Sequence, residues 1–356
     1  MPRTSNQIEL NSYPVGTIKT TDFAFREVSL PELGPNQVLV RNTYGSVDPA
    51  LCLRFRETAP KGYFQALALH APLDGVATVG EVVQSRADGF REGDVVSHAL
   101  GFREYSVVDA HTEWIGGMGT LRRLDVDVAP ARHYLGALGG SGITAYAGLF
   151  HAAQLRDDDV VWVSSAAGSV GSLAAQIAKL RGHVVIGSAG SSAKVRYLLD
   201  DLHLDAAFNY HDGPVEDLLA TAAPAGIDVY FDNVGGDHLE AAVGALRKWG
   251  RAALCGAVSE YQSESGATGP RNLFLVTSNE LSLRGFRGSN HFDLRDQVIH
   301  ELAPLITSGA LKYPESIFDG LESAPDAIVH MLAGDTIGKT LVRIGPATTD
   351  DFASAR

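Results

Sequence analysis

Cysteine is scarce: only Cys52 and Cys255 occur in 356 residues, far apart in the chain. Two such residues make no disulfide framework and fit a reducing compartment, so a cytoplasmic location is expected. They also exclude a four-cysteine structural zinc site. A catalytic zinc needs three side-chain ligands, and Cys52 with His70 or Glu81 lacks any metal-ligand spacing, so no metal is predicted. Basic residues are outnumbered, 29 Lys and Arg against 42 Asp and Glu, for a net charge of −13. A phosphate backbone or an anionic membrane surface would be repelled, which argues against nucleic acid and membrane as partners. The N-terminal run MPRTSNQIEL has no apolar core, and no signal peptide is predicted. Residues 133–155 contain no Asp, Glu, Lys or Arg, a run longer than the about 20 residues a membrane helix needs. Gly136, Gly139, Gly140, Gly142 and Gly148 interrupt it, and it reads as two short buried helices joined by a glycine turn.

What is present is a chain too long for one core, since single cores stop growing at about 250–300 residues. Residues 1–130 read mostly as strands punctuated by Gly and Pro turns: 23–28, 38–41, 76–83, 94–98 and 104–108. After Pro130 strands alternate with helices: strands at 206–210, 227–232 and 252–256, helices at 214–222 and about 236–248. Such alternation predicts an α/β fold with a doubly wound parallel sheet, whose ligands bind at the carboxyl ends of the strands. From about residue 313 short strands return around a helix near 324–332, which predicts a discontinuous first domain (1–130 with 314–356) and a second at 131–313. The end, 347–356, is expected to fray.

The organising stretch is 160–194, VVWVSSAAGSVGSLAAQIAKLRGHVVIGSAGSSAK. A buried strand runs into a turn of small residues (Ser165, Ala166, Ala167, Gly168, Ser169, Val170, Gly171). An amphipathic helix carrying Leu173, Ile177 and Leu180 follows and stops at Gly182, and a second strand covers 184–187. A pyrophosphate settles on a helix N-terminus only where bulky side chains do not hold the backbone off, and Ser-x-x-Gly-x-x-Gly between two buried strands meets that condition. NAD-selective sites place an acid at the end of the second strand, about 20 residues past the glycines. Residues 182–199 contain no Asp or Glu and offer Ser191, Ser192 and Lys194 instead, a set suited to a 2′-phosphate. NADPH is the predicted cofactor.

These stretches, with PVGTIKTTDF, LPELGPNQVLVRNTYGSVDP, VGEVVQSRADGFREGDVV, GITAYAGL, YFDNVGG, CGAVSEYQ and GKTLVRI in order, resemble the medium-chain dehydrogenase/reductase superfamily. Within it they resemble the zinc-independent branch of leukotriene B4 dehydrogenases, prostaglandin reductases, alkenal double-bond reductases and curcumin reductases. The resemblance implies a GroES-like catalytic domain plus a Rossmann domain with the active site in the cleft between them. It also implies a homodimer, with sheet extension through residues 281–285. The implied reaction is NADPH-dependent reduction of the carbon–carbon double bond of α,β-unsaturated aldehydes or ketones. It places Ala167, Gly168, Ser169, Val170 and Gly171 on the pyrophosphate, and Gly190, Ser191, Lys194 and Tyr210 around the adenosine ribose. Asn233, the run from Cys255 and Gly256 to Tyr261, and Phe286, Arg287 and Gly288 line the nicotinamide side, with Thr336 two positions before the final Gly-Lys. Tyr261 is the catalytic candidate, because a phenol with pKa about 10 can donate to a developing oxyanion. Cys255 reads as a small packing residue, and His98 and His111 as core or surface residues.

The chain departs from the family at Ala50, Gly140, Ser141, Arg287 and Thr336. These changes touch the substrate pocket directly, where Tyr63 is a further substrate-side candidate, and those at Arg287 and Thr336 bear on the cofactor side as well. Two alternatives stay open: a zinc-independent quinone reductase, and a protein that binds NADPH without turnover.

Overall fold

The computed structural model describes residues 4–112, 119–262 and 269–345. The chain divides into two compact units, Met1–Gly139 with Glu315–Arg356, and Gly140–Pro314. The first boundary falls after Gly139 rather than after Pro130. Ala131 and Leu135, in the short 3-10 helix Ala131–Leu135, bury themselves with Tyr44, Val79 and Leu341 of the first unit.

In the first unit β1 (Thr4–Leu10) and β2 (Phe23–Ser29) form an antiparallel pair. β3 (Gln37–Val47), β4 (Thr78–Ser85), β5 (Val95–His98), β6 (Tyr105–Asp109) and β7 (Arg122–Arg123) follow. β3 is the central strand, pairing with β4 and β6, and its Val38 and Val40 pack with Val82, Val96 and Val108. β1 is absent from the sequence expectation because polar Ser5, Gln7 and Glu9 are themselves buried there, which hides the usual alternation.

The second unit opens with α1 (Gly140–Tyr146), continued by a π-helical turn Ala147–Ala152. β8 (Val160–Val163), α2 (Ser169–Leu180), β9 (Val184–Ala189), α3 (Ser192–Arg196) and β10 (Ala206–Asn209) come next. α4 (Val215–Ala222), β11 (Ile227–Asp232), α5 (Gly236–Ala245), β12 (Leu246–Leu254), α6 (Phe274–Ser278), β13 (Ser282–Gly285) and α7 (Arg295–Thr307) complete it. The helix expected over 236–248 ends at Ala245, because Leu246 is captured by pairing with Ile227 and the following residues extend β12. All six strands are parallel in the order β10-β9-β8-β11-β12-β13. Counted within the unit this is 3-2-1-4-5-6, a doubly wound sheet whose order reverses between β8 and β11. Trp162 and Tyr230 stack at 4.4 Å between these strands, and both are fully buried. α2 is buried along Gly171–Ala178 on nearly every face, while Leu180, expected on its apolar face, is 49% exposed.

The chain returns to the first unit with β14 (Glu315–Asp319), α8 (Ala324–Ala333) and β15 (Lys339–Arg343). β15 pairs antiparallel with β3 and parallel with β14, so the C-terminal segment completes a seven-stranded sheet with β6 joined to β3. The expected frayed end at 347–356 lies outside the described residues. Among the described residues no helix is long and apolar enough to cross a membrane.

Candidate functional site

Parallel strands put their carboxyl ends on one edge of the sheet, and the candidate residues of the second unit follow those ends. After β8 the chain turns through Ser164 and Ser165, the latter at φ 49°, and Gly168 donates its N–H to Ser165 O at 3.0 Å before α2 begins. A Cβ at Gly171 would collide with the Ser165 carbonyl oxygen and lie 2.9 Å from its carbon. Gly171 therefore lets α2 pack against the turn. The first-turn amides of Ser169, Val170 and Gly171 have no acceptor within the helix, and the first turn carries no acid. Those amides and the positive end of the helix dipole suit an anion. Ala167 is buried in the turn.

After β9, Gly190 leads to Ser191, whose Oγ caps α3 by accepting the Lys194 N–H at 3.3 Å. A Cβ on Gly190 would lie 2.8 Å from Tyr210 Oη, so glycine there lets the tyrosine that follows β10 close over the end of β9. Tyr210 also meets His238 edge-on at 5.3 Å. Gly190, Ser191, Lys194 and Tyr210 thus follow two neighbouring strand ends.

A buried polar network ties the next ends together. Asp232 closes β11 and accepts from Tyr230 Oη at 2.7 Å, Val234 N–H at 3.0 Å and Gly235 N–H at 2.8 Å. Burial raises its carboxyl pKa in spite of these donors, and burial followed by the Asp232 charge raises the Tyr230 phenol. Asn233 donates its backbone N–H to Ser164 Oγ at 2.9 Å and its side-chain amide to Ser164 O at 2.7 Å, which links the ends of β8 and β11 at the switch point. Cys255 and Gly256, just past β12, both donate N–H to Asp232 O. Burial, then the Asp232 charge, pushes the Cys255 thiol up to about 12, so it is a thiol and no nucleophile at neutral pH.

Tyr261 follows a 3-10 turn, Val258–Glu260, and its Oη accepts the Ala257 N–H at 3.4 Å. A Cβ on Gly256 would lie 2.8 Å from that oxygen. The missing side chain at 256 is what allows the phenol to lie against the end of β12. Past β13, Phe286 donates N–H to Leu254 O at 3.2 Å and meets Phe231 edge-on at 6.1 Å. Arg287 and Gly288 follow, with Gly288 against Thr144 of α1.

The other candidates belong to the first unit. Ala50 lies in the 3-10 helix Pro49–Arg54, Tyr63 meets Phe64 edge-on at 4.7 Å, and Thr336 Oγ1 accepts from Thr340 Oγ1 at 3.0 Å. His98 is a satisfied core residue: Leu100 N–H donates to Nδ1 at 3.0 Å, leaving Nε2–H to Asn42 Oδ1 at 2.9 Å. His111 is exposed. Among the described residues no group of three or more His, Cys, Asp or Glu is placed to hold a metal ion.

Two residues of the second unit meet at the α2 turn, and one of them, Tyr313, has no role among the residues expected from the sequence. Ser141 Oγ and Tyr313 Oη each lie 2.7 Å from Ser169 Oγ. Ser141, a departure expected to bear on the substrate pocket, meets Ser169 at the start of α2. Separations of 28 and 144 residues left no sequence signal for this grouping.

Residues 6–114 match the family profile described as the N-terminal domain of oxidoreductase, and residues 169–307 that of zinc-binding dehydrogenase. A putative NADP-dependent oxidoreductase of Bacillus subtilis is 37% identical over 97% of this chain and 99% of its own length. An NADP(+)-dependent 2-alkenal reductase of Nicotiana tabacum is 35% identical over 96% of this chain and 97% of its own. The crystal structure of CurA from Vibrio vulnificus in complex with NADPH superposes with a TM-score of 0.87. It is 29% identical and covers 96% of this chain and all (100%) of the CurA chain.

Proposed function

The chain belongs to the zinc-independent branch of the medium-chain dehydrogenase/reductase family, and from that premise we propose that it reduces the carbon–carbon double bond of α,β-unsaturated aldehydes and ketones. It is an NADP-dependent oxidoreductase, with NADPH/NADP+ as its cofactor. The residues fit that group. The open first-turn amides of α2, in a turn without acids, suit the pyrophosphate. Ser191, Lys194 and Tyr210 would hold the 2′-phosphate end, and Asn233, Cys255, Gly256 and Phe286 to Gly288 the nicotinamide end.

When bound, NADPH supplies a hydride for the β-carbon of the substrate. Negative charge then develops on the conjugated oxygen, and Tyr261 is the group assigned to meet it. The observation that carries the proposal is the phenol's seat on Gly256 and the Ala257 N–H, at the carboxyl end of β12. A phenol donates a hydrogen bond to the oxyanion and then its proton, which reaches the α-carbon or the oxygen and is restored from solvent. Burial and the Asp232 charge keep the Cys255 thiol protonated at neutral pH.

The test is Tyr261→Phe, assayed with an enone and with a quinone. The proposal predicts that kcat for the enone falls about a hundredfold while NADPH affinity holds. An unchanged enone kcat would remove Tyr261 from the mechanism, and a wild-type enzyme that turns over only the quinone would make it a quinone reductase. The same reading includes a homodimer through β13, an edge strand with Ser282, Arg284 and Gly285 exposed. Light scattering reads the mass directly.

A further inference from the structure

A chain of three hydroxyls ends at the first residue of α2. Ser141 Oγ and Tyr313 Oη both approach Ser169 Oγ at 2.7 Å. Ser141 is buried in the first turn of α1, and Ser169 is its hydrogen-bond partner. If Ser169 were the donor, the Ser141 proton would be buried without an acceptor, at the full desolvation cost of that group. Ser141 is therefore the donor. Tyr313 is assigned the donor role as well, because a phenol is a stronger acid than an aliphatic alcohol and donates more readily. Its backbone is held against α2 by buried Gln176, whose Nε2 donates to Lys312 O at 2.8 Å and whose Oε1 accepts the Lys312 N–H at 2.8 Å.

A serine hydroxyl has two lone pairs and one proton. With a donor on each lone pair, the Ser169 proton has to point elsewhere. It does so at a helix N-terminus whose adjacent amides, of Val170 and Gly171, have no acceptor within the helix. We infer that Ser141 and Tyr313 are positioning residues for the cofactor pyrophosphate: they occupy both lone pairs of Ser169 and turn its proton outward, to a phosphate oxygen. Two donors on one oxygen also polarise its O–H and make it a better donor. The inference rests on the assignment of the α2 turn to the pyrophosphate of NADPH. It gives the departure at Ser141 a task on the cofactor side.

The experiment is titration calorimetry on the full chain with two ligands, NADPH and adenosine 2′-monophosphate, which carries the 2′-phosphate but no pyrophosphate. Ser169→Ala is expected to weaken NADPH about tenfold, and Tyr313→Phe and Ser141→Ala each about three- to fivefold. Because Tyr313 acts through Ser169, the double variant Ser169→Ala/Tyr313→Phe binds NADPH no more weakly than Ser169→Ala alone. Adenosine 2′-monophosphate binds all variants as it binds the wild type. NADPH affinity unchanged in Tyr313→Phe and Ser141→Ala would overturn the inference, and so would additive losses in the double variant. Equal losses for both ligands would reduce the hydroxyls to a structural role and overturn it as well. A wild-type protein that bound only adenosine 2′-monophosphate would instead refute the pyrophosphate assignment, and the inference with it.

Discussion

His98 makes the first unit sensitive to acid by an amount that can be worked out. Its ring is buried, and burial followed by the charge of Arg103 holds its pKa down to about 3, from an ordinary 6.5. Both ring nitrogens are satisfied in the neutral form, Nδ1 by Leu100 N–H and Nε2 by Asn42 Oδ1. Asn42 is fixed in turn by its own bonds to Arg103 O and Ser106 Oγ. A second ring proton would replace the acceptor that Leu100 N–H needs. The folded pKa lies below the unfolded one, so between about 3 and 6.5 the unfolded chain binds more protons, and stability falls as pH falls. At pH 5 the unfolded histidine lies about 1.5 units below its pKa while the folded one is still neutral. At 1.36 kcal/mol per unit this histidine costs about 2 kcal/mol between pH 7.5 and pH 5. The amount is insensitive to the exact folded value provided that value lies below about 4. Urea unfolding of wild type and His98→Gln at the two pH values tests it, with the m-values required to match. The cost of the substitution itself cancels in the difference between pH values. The variant should lose about 2 kcal/mol less than wild type on acidification. Equal losses would mean that His98 protonates freely in the folded protein and would refute the reasoning.

Three further outcomes follow from the second unit. Gly171→Ala drives a Cβ into the Ser165 carbonyl and should cost about 1–3 kcal/mol in thermal or urea unfolding, whereas Gly140→Ala, with nothing within 4 Å, should cost nothing or gain a few tenths. Asp159→Ala leaves Arg251 buried without its ion-pair partner and should cost about 3–5 kcal/mol, while replacing both by apolar residues of similar volume should restore most of it. Lys194→Gln should cut the preference for NADPH over NADH about tenfold in kcat/KM; an unchanged ratio would remove Lys194 from the 2′-phosphate.

The strand–turn–helix–strand core was legible in the sequence because local chemistry dictates it: a fully apolar strand, small turn residues, and Gly182 at φ 90° ending the helix. The strand covering 227–232 was legible to the residue for the same reason, a run buried on both faces. The last three residues of the expected 236–248 helix, Leu246, Arg247 and Lys248, are good helix formers by themselves, and only the pairing of Leu246 with Ile227 starts β12 there. The first strand escaped because its buried Gln7 bonds to Glu9 at 2.8 Å, a pairing that no alternation pattern encodes. Candidate residues past the ends of β8, β9, β11 and β12 could be named from the strand pattern, since sheet topology fixes where strand ends go, whereas those past β13 came from the family resemblance alone. The Ser141–Ser169–Tyr313 grouping could not, because it depends on how α1 and the segment after α7 pack on α2.

The measurement that bears most directly on the proposed activity is steady-state oxidation of NADPH, run beside NADH, against a linear alkenal, a cyclic enone, a curcuminoid and a quinone. Product analysis would establish which bond has been reduced. Saturation of the carbon–carbon double bond of at least one enone, with a clear preference for NADPH, is the predicted result. Demonstrated NADPH binding with no double-bond reduction of any of these acceptors would contradict it.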